Sequence, residues 1–180
     1  MSFELSFLNF LQTLHIPVLD KMMIFFTHLG DQGFIWVCLS LILLIIPKTR
    51  KTGMILFIAL IVDTIICNLL LKNIFMRPRP FLFNSNISLL ISQPHDYSFP
   101  SGHTAASFSV VCALYLLKEK KLFIITLPIA CIIAFSRMYL YVHYPTDILG
   151  GILIGILCGF ISYILSFKIP LYKSKDLFPQ

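Results

Sequence analysis

Three short groups of polar residues stand at the ends of long apolar runs, and their side chains are of the types that handle a phosphoryl group. The groups contain Lys72 and Arg79 (72–80), Ser101, Gly102 and His103 (99–104), and Arg137, His143 and Asp147 (136–147). Lysine and arginine neutralise phosphate oxygens, and arginine does so through two parallel hydrogen bonds. Ser101 is a good N-cap, and the free N–H groups of a helix start would add donors. These residue types together predict an anion site that contains a nucleophile.

The two histidines in these groups suit different roles. His143 and Asp147 are four residues apart, so the carboxylate can reach the imidazole across one helical turn, which Pro145 makes irregular. A carboxylate bound to one ring nitrogen fixes the tautomer and leaves the other nitrogen free to attack. His103 would then be the general acid that protonates the leaving oxygen.

Each group also has an ordinary structural explanation. A single interfacial histidine is more often a hydrogen-bonded surface group, and Lys72 or Arg137 alone could extend its charge to the membrane interface. What these explanations account for poorly is the coincidence of all three groups on one face of a membrane. The remaining histidines lack such neighbours, and we expect structural roles for them: His15, His28 and His95.

The composition excludes a soluble domain, a disordered chain and a secreted disulfide scaffold. Of 180 residues, 58% are hydrophobic and only 12% are charged, and the mean hydropathy is +0.89, which leaves too little polar surface for a water-exposed fold. The net charge of +6 comes mostly from basic residues between apolar runs, so we expect no nucleic-acid partner. The five cysteines lie in apolar runs without a CxxC pair, which indicates buried thiols and neither a metal nor a redox site.

The apolar runs predict an all-α, polytopic membrane helix bundle that forms a single domain over residues 1–180. A bilayer core of about 30 Å needs about 20 apolar residues per helix. Five runs come close to this length: 33–47, 53–71, 103–117, 122–141 and 148–167. Residues 2–14 predict an amphipathic helix in the membrane interface, and Pro17 opens a further helix that ends near His28. We expect about six transmembrane helices, with five as the alternative that leaves residues 1–30 outside the membrane.

Basic residues predict the orientation of this bundle. Nine of them fall in breaks that alternate with the spans and would share one side: Lys48, Arg50, Lys51, Lys118, Lys120, Lys121, Lys168, Lys173 and Lys175. The positive-inside rule assigns that side to the cytoplasm. The three polar groups then lie on the extracytoplasmic side. We expect no cleaved signal peptide, because the first residues lack a basic region and a small-residue cleavage site.

The three motifs, in this order, resemble the signature of the type 2 phosphatidic acid phosphatase family of integral-membrane lipid phosphatases. The patterns are Lys-x6-Arg-Pro, Pro-Ser-Gly-His and Ser-Arg-x5-His-x3-Asp. They match Lys72, Arg79 and Pro80, then Pro100 to His103, then Ser136, Arg137, His143 and Asp147. No signature position departs from the pattern, and three ordered motifs with correct spacing form a specific signal.

The resemblance implies a bundle of about six transmembrane helices and metal-independent hydrolysis through a phosphohistidine, without a cofactor. It implies His143 as nucleophile, Asp147 as its orienting partner and His103 as general acid. The phosphate-binding residues that it implies are Lys72, Arg79, Ser101, Gly102 and Arg137.

Bacterial relatives with such short loops resemble undecaprenyl pyrophosphate and phosphatidylglycerophosphate phosphatases. We therefore expect an enzyme of the bacterial cytoplasmic membrane that converts undecaprenyl pyrophosphate into undecaprenyl phosphate and phosphate. Phosphatidylglycerophosphate is the alternative substrate, with phosphatidic acid behind it. A transporter or flippase of phosphate lipids is the non-enzymatic alternative, and it leaves His103, His143 and Asp147 unexplained. The oligomeric state stays open.

Two charged residues lie outside the family pattern. Arg77 could reach a second phosphate and so favour a diphosphate, although a plain loop arginine fits equally well. Asp63 lies nine residues before Lys72, about 13 Å down a straight helix and deep in the bilayer. A carboxylate there is costly. We expect a packing role for it, since this separation would keep it away from the phosphate.

Overall fold

The computed structural model describes residues 3–84 and 87–167, and in these residues all regular structure is helical, without a strand. The α-helices are α1 (Phe3–Gln12), α2 (Pro17–Leu29), α3 (Phe34–Ile45), α4 (Arg50–Asp63), α5 (Lys72–Phe75), α6 (Gly102–Leu116), α7 (Lys120–Tyr139) and α8 (Pro145–Ser166). A 3-10 turn, Asp31–Gly33, joins α2 to α3, and another, Pro80–Phe83, follows α5. The predicted all-α membrane bundle is therefore confirmed.

Helix length and composition identify the candidate membrane crossings. Within residues 3–84 and 87–167, three helical stretches are long and apolar enough to span a bilayer: Arg50–Phe83, Lys120–Tyr139 and Pro145–Ser166. A fourth span arises if α2 and α3 act as one element bent by 50° at Gly30, while the apolar α6 is shorter than a full span. Six crossings stay a prediction.

The helix that leads to the first motif changes its winding before it ends. Residues Thr64–Leu71 form a π-helix between α4 and α5, in the middle of an apolar run. A π-helix places more residues in each turn, and such segments recur at functional sites. The helix stops at Met76, which has a left-handed backbone with φ of 43°. Lys72 thus stands at the end of a span.

Three glycines bring α6 and α8 into backbone contact. A Cβ added at Gly151, Gly155 or Gly159 would stand only 2.5–2.8 Å from a carbonyl oxygen of the facing helix. Close approach of this kind is the usual role of small residues spaced by four in membrane helices. Where α6 and α8 begin, the Ser101 amide donates to the Asp147 carbonyl oxygen at 3.1 Å. The second and third motifs are therefore held side by side.

Helix α1 packs against the connection between α7 and α8. Leu8 and Leu11 are buried against Tyr141 and Tyr144, and burying such side chains contributes about 1.5–3 kcal/mol each. The Tyr141 hydroxyl donates to Asn9 Oδ1 at 2.7 Å. This packing places the first turn of α1 next to the first turn of α8.

Candidate active site

A cavity of about 1280 Å³ opens where the three motifs meet. Six of the predicted site residues line it: Lys72, Arg79, Gly102, His103, Arg137 and His143. Asp147 is completely buried behind His143 and does not line the cavity. Ser101 is also completely buried, with Oγ accepting a hydrogen bond from Thr104 Oγ1 at 3.0 Å. Ser101 does not line the cavity, and its role in phosphate binding stays a prediction.

The hydrogen bonds of His143 define its tautomer. Its Nδ1 lies 3.3 Å from Asp147 Oδ2 and its Nε2 lies 3.2 Å from Arg79 Nη1. A guanidinium group can only donate, so Nε2 must be the acceptor and the proton belongs on Nδ1, facing the carboxylate. The unprotonated nitrogen is thus the one on the side of the cations.

His143 is held in its neutral form. It is 1% exposed and lies in the connection between α7 and α8. Burial and, after it, the nearby Arg79 and Arg137 guanidinium groups hold the pKa of His143 well below 6.5. A neutral imidazole with a free electron pair is the form that can act as a nucleophile.

Arg137 lines the cavity and carries a buried, unpaired hydrogen-bond donor. It lies in the last turn of α7, is 3% exposed, and donates from Nη1 to Thr27 Oγ1. Within the described residues its Nε has no hydrogen-bond partner. An unpaired buried guanidinium N–H is costly, because it has lost water without gaining an acceptor. The cavity beside Arg137 therefore fits an anion.

Lys72 and Arg79 bind a carboxylate that the sequence had not indicated. Asp96, from the loop before α6, pairs with Lys72 Nζ through Oδ2 and accepts from Arg79 Nη2 through Oδ1 at 2.6 Å. Burial opposes ionisation of Asp96, but Lys72 and Arg79 outweigh it and hold its pKa at about 2. A carboxylate thus occupies the two cations that a phosphate would need.

His103 also has an acidic partner that the motifs did not reveal. Its Nε2 lies 3.0 Å from Asp31 Oδ1, and the other oxygen of Asp31 lies 2.7 Å from His28 Nδ1. The Asp31 carboxylate thus fixes the orientation of the His103 ring. His28, to which we assigned a structural role, thus shares the partner of His103.

Glycine at position 30 makes room for the His103 ring. An added Cβ there would stand 2.7 Å from His103 Cδ2 and 2.9 Å from a methyl group of Ile133. The break between α2 and α3 therefore lies directly beside this histidine. His95, also expected to be structural, lines the cavity.

Arg77 points away from the cavity. Its Nη1 donates to Asp147 Oδ1 at 2.6 Å and its Nη2 to Glu4 Oε2 at 2.7 Å, and it is absent from the cavity lining. The hypothesis that Arg77 reaches a second phosphate is therefore not supported. Its guanidinium group is engaged by two carboxylates.

Asp63 lines the same cavity as Lys72, contrary to the separation that a straight α-helix had suggested. It is 1% exposed, and in the described part of the chain its Oδ1 has no hydrogen-bond partner. The π-helix between Asp63 and Lys72 departs from the straight α-helical geometry that the sequence estimate assumed. The cavity thus continues from the cations to a buried carboxylate.

The far part of the cavity is apolar and opens to the outer face of the bundle. Phe57, Ile61, Ile65 and Leu69 recur every four residues, line the cavity, and are 38–60% exposed. Side chains at this spacing form one stripe along a helix. A lipid tail could therefore lie against this stripe while its headgroup meets the cations.

Across residues 3–84 and 87–167, no three His, Cys, Asp or Glu side chains lie close enough together to hold a metal ion.

The helical membrane fold and a cation-lined cavity around a neutral histidine define a membrane-embedded phosphatase. The chain belongs to the PAP2 superfamily, whose sequence profile matches residues 52–170. The resemblance that the three motifs indicated is confirmed, and the protein is a PAP2 lipid phosphatase.

Three relatives illustrate the similarity. An undecaprenyl-diphosphatase of Sulfolobus acidocaldarius is 29% identical over 98% of this chain and 85% of its own length. The crystal structure of Aquifex aeolicus LpxE superposes with a TM-score of 0.77 and 31% identity, covering 94% of this chain and 97% of the other. A transmembrane PAP2-type phosphatidylglycerolphosphate phosphatase from Bacillus subtilis gives a TM-score of 0.74 and 27% identity, covering 94% and 87%.

Proposed function

We propose that this phosphatase hydrolyses undecaprenyl pyrophosphate to undecaprenyl phosphate and inorganic phosphate. The observation that carries the proposal is the unpaired, buried Nε of Arg137 in the cavity that also holds the neutral ring of His143. The apolar stripe beside the cavity supports a long hydrocarbon tail. The similarity to an undecaprenyl-diphosphatase of Sulfolobus acidocaldarius supports the same substrate class.

In this proposal the terminal phosphate displaces the Asp96 carboxylate. Lys72 and Arg79 then bind phosphate oxygens, and Arg137 donates its unpaired Nε–H to the same group. The amides of Gly102 and His103, at the start of α6, add donors towards the anion. The cations would neutralise the charge that develops on phosphorus oxygens during transfer. This set supplies the electrostatic work without a metal ion or a cofactor.

The chemistry proceeds in two steps. Nε2 of His143 attacks the terminal phosphorus and the bond to the bridging oxygen breaks. His103, which takes up a proton when the anionic substrate binds beside it, donates that proton to the bridging oxygen. Asp147 stabilises the positive charge that the His143 ring acquires. His103, now neutral, then takes a proton from water, whose oxygen attacks phosphorus. The N–P bond breaks, phosphate leaves, and both histidines return to their initial forms.

We further propose that residues 1–180 form one lipid phosphatase domain in a bacterial cytoplasmic membrane, with the site on the extracytoplasmic side. The basic residues between α3 and α4 and between α6 and α7 support this orientation, because they stand at the opposite end of the helices from the three motifs.

A specific observation favours phosphatidylglycerophosphate as the second candidate. Asp63 and Asn68 line the same cavity as the cations and the apolar stripe. A polyprenyl chain has no polar group to offer these residues, whereas the glycerol and ester oxygens of a glycerolipid can accept a hydrogen bond from the Asn68 amide. The similarity to the Bacillus subtilis phosphatidylglycerolphosphate phosphatase points the same way.

The experiment is phosphate release by the detergent-purified protein with EDTA present. Undecaprenyl pyrophosphate, phosphatidylglycerophosphate and phosphatidic acid are compared, with His143→Ala as the control. We expect metal-independent release that the variant abolishes, with undecaprenyl pyrophosphate the best substrate. Release of phosphate from none of the three by folded protein would contradict the proposal and favour a binding or transport role.

A further inference from the structure

The charge of Asp147 is balanced by Arg77, which lies at a variable position of the first motif. The carboxylate is 0% exposed, and its Oδ2 accepts from Tyr144 N at 2.9 Å and lies beside His143 Nδ1. Its Oδ1 accepts from Arg77 Nη1 at 2.6 Å. Ion pairing is what allows a carboxylate to be buried in its charged form. Arg77 is the cation that this carboxylate binds.

Arg77 is itself fixed by three further contacts. Its Nη2 binds Glu4 Oε2 at 2.7 Å, its Nη1 also donates to Thr146 Oγ1 at 2.7 Å, and its guanidinium carbon lies 3.9 Å from the centre of the Tyr144 ring. The planar fork of arginine suits this combination of two acids and an aromatic face, which an ammonium group could not satisfy.

Glu4 connects α1 to the first turn of α8. Its Oε1 accepts from the Thr146 amide at 3.1 Å and from the Thr146 hydroxyl at 2.6 Å, while Oε2 accepts from Arg77. Burial opposes ionisation of Glu4, but the hydrogen bonds from Thr146 and the charge of Arg77 outweigh it and lower its pKa. An acidic group at a helix N-terminus also interacts favourably with the helix dipole.

We infer that Arg77 and Glu4 are positioning residues for the nucleophile, acting through Asp147. The inference rests on the proposed function, in which Nε2 of His143 attacks phosphorus. Arg77 keeps Asp147 ionised and directed at His143 Nδ1, and Glu4 holds Arg77 in place from the membrane-interface helix. Neither residue touches the substrate, because neither lines the cavity.

This role predicts a distinct kinetic signature. Loss of the Arg77 cation favours the protonated form of Asp147, which can no longer fix the His143 tautomer. We expect Arg77→Ala to lower kcat about 10- to 100-fold, the range for residues that orient a catalytic group from behind. KM should stay within about twofold, since no contact to substrate is removed. The acidic limb of the pH profile should move to higher pH.

The test compares Arg77→Ala, Arg77→Lys and Glu4→Gln with the parent protein on a diphosphate lipid and a monophosphate lipid. Arg77→Lys keeps the charge and should recover part of kcat. Glu4→Gln should lower kcat less than Arg77→Ala and should have no further effect in the Arg77→Ala background. The matched control is Arg50→Ala, an exposed arginine at the start of α4. Thermal unfolding in detergent confirms that each variant is folded.

Two results would overturn the inference. One is a folded Arg77→Ala protein with unchanged kcat and pH profile. The other is a rise in KM for the diphosphate alone, which would make Arg77 a substrate contact. Failure of the proposed function is seen separately, because the folded parent protein would then release no phosphate, or its release would survive His143→Ala, whatever happens at Arg77.

Discussion

At the scale of single residues, the proposed mechanism makes activity depend on the protonation state of His143, since only the neutral ring can attack phosphorus. The pKa of His143 is lowered, so the ring stays neutral as the pH falls below 6.5. We expect the acidic limb of kcat/KM that His143 causes to lie well below pH 6.5. Steady-state rates from pH 4 to 9 measure this limb.

The control for this prediction is an NMR titration of labelled histidine, with His143→Asn to assign the signal. An acidic limb centred near 6.5 together with an ordinary titration of His143 would contradict the lowered pKa.

The pairing of Asp96 with both Lys72 and Arg79 predicts a competition with phosphate. The Asp96→Asn substitution keeps the size of the side chain and the hydrogen bond from Arg79 Nε to the backbone oxygen of residue 96, but it removes the negative charge. Phosphate would then no longer have to displace a carboxylate. We expect Asp96→Asn to lower the inhibition constant of inorganic phosphate about tenfold, the value of roughly one charge-assisted hydrogen bond.

Inhibition of the parent and Asp96→Asn proteins by phosphate tests this competition, with the exposed loop residue Gln93→Ala as the matched control. An unchanged or higher inhibition constant in Asp96→Asn would show that the carboxylate does not compete.

Site residues that contact each other within one helical turn could be predicted from the sequence, whereas residues that meet only in the folded bundle could not. His143 and Asp147 meet within one helical turn, so their spacing reveals the pair. Asp31 reaches His103 across 72 positions, and Asp96 reaches Lys72 across 24. Such contacts depend on how the helices pack, and no local spacing encodes them. Asp31 and Asp96 were therefore missed.

At the scale of helices, the α6–α8 contact holds the two histidine-bearing segments together. His103 follows the start of α6, and His143 and Asp147 flank the start of α8. A methyl group at Gly155 would stand 2.5 Å from the Ala105 carbonyl oxygen and 2.9 Å from the Phe108 side chain. Such overpacking costs about 1–3 kcal/mol.

We expect Gly155→Ala to lower the unfolding temperature and kcat together, although Gly155 lies two turns of α8 from Asp147. Thermal unfolding in detergent and steady-state kinetics measure both effects. Leu153→Ala is the control on the same helix, because Leu153 is 68% exposed on the lipid side. Unchanged stability and rate in Gly155→Ala would mean that the two helices can separate without consequence.

Helix positions were predicted more closely than helix winding. The predicted runs 103–117, 122–141 and 148–167 end within a few residues of α6, α7 and α8, since hydrophobicity and proline mark the boundaries. The π-helix Thr64–Leu71 has no such signal, because its sequence is as apolar as an ordinary span. This is why the relation of Asp63 to the cavity was missed.

At the scale of the whole molecule, the cavity joins two environments. One end holds the cations and histidines of the three motifs, and the other is the apolar stripe of Phe57, Ile61, Ile65 and Leu69. Composition predicted the membrane and the motifs predicted the charged end. The connection between the charged end of the cavity and its apolar stripe depends on how the helices pack, so it could not be predicted from the sequence alone.

Because the stripe is exposed on the outside of a membrane bundle, we expect the substrate to reach the site by diffusion in two dimensions, within the membrane. The concentration that matters is then the mole fraction of substrate in the membrane or micelle, not its amount per volume of solution. We expect added detergent to lower the rate at constant total substrate, and the apparent KM in bulk units to rise in proportion to micelle concentration. Rates measured over a series of detergent concentrations should fall on one curve when plotted against mole fraction. An enzyme fed from water would instead follow bulk concentration.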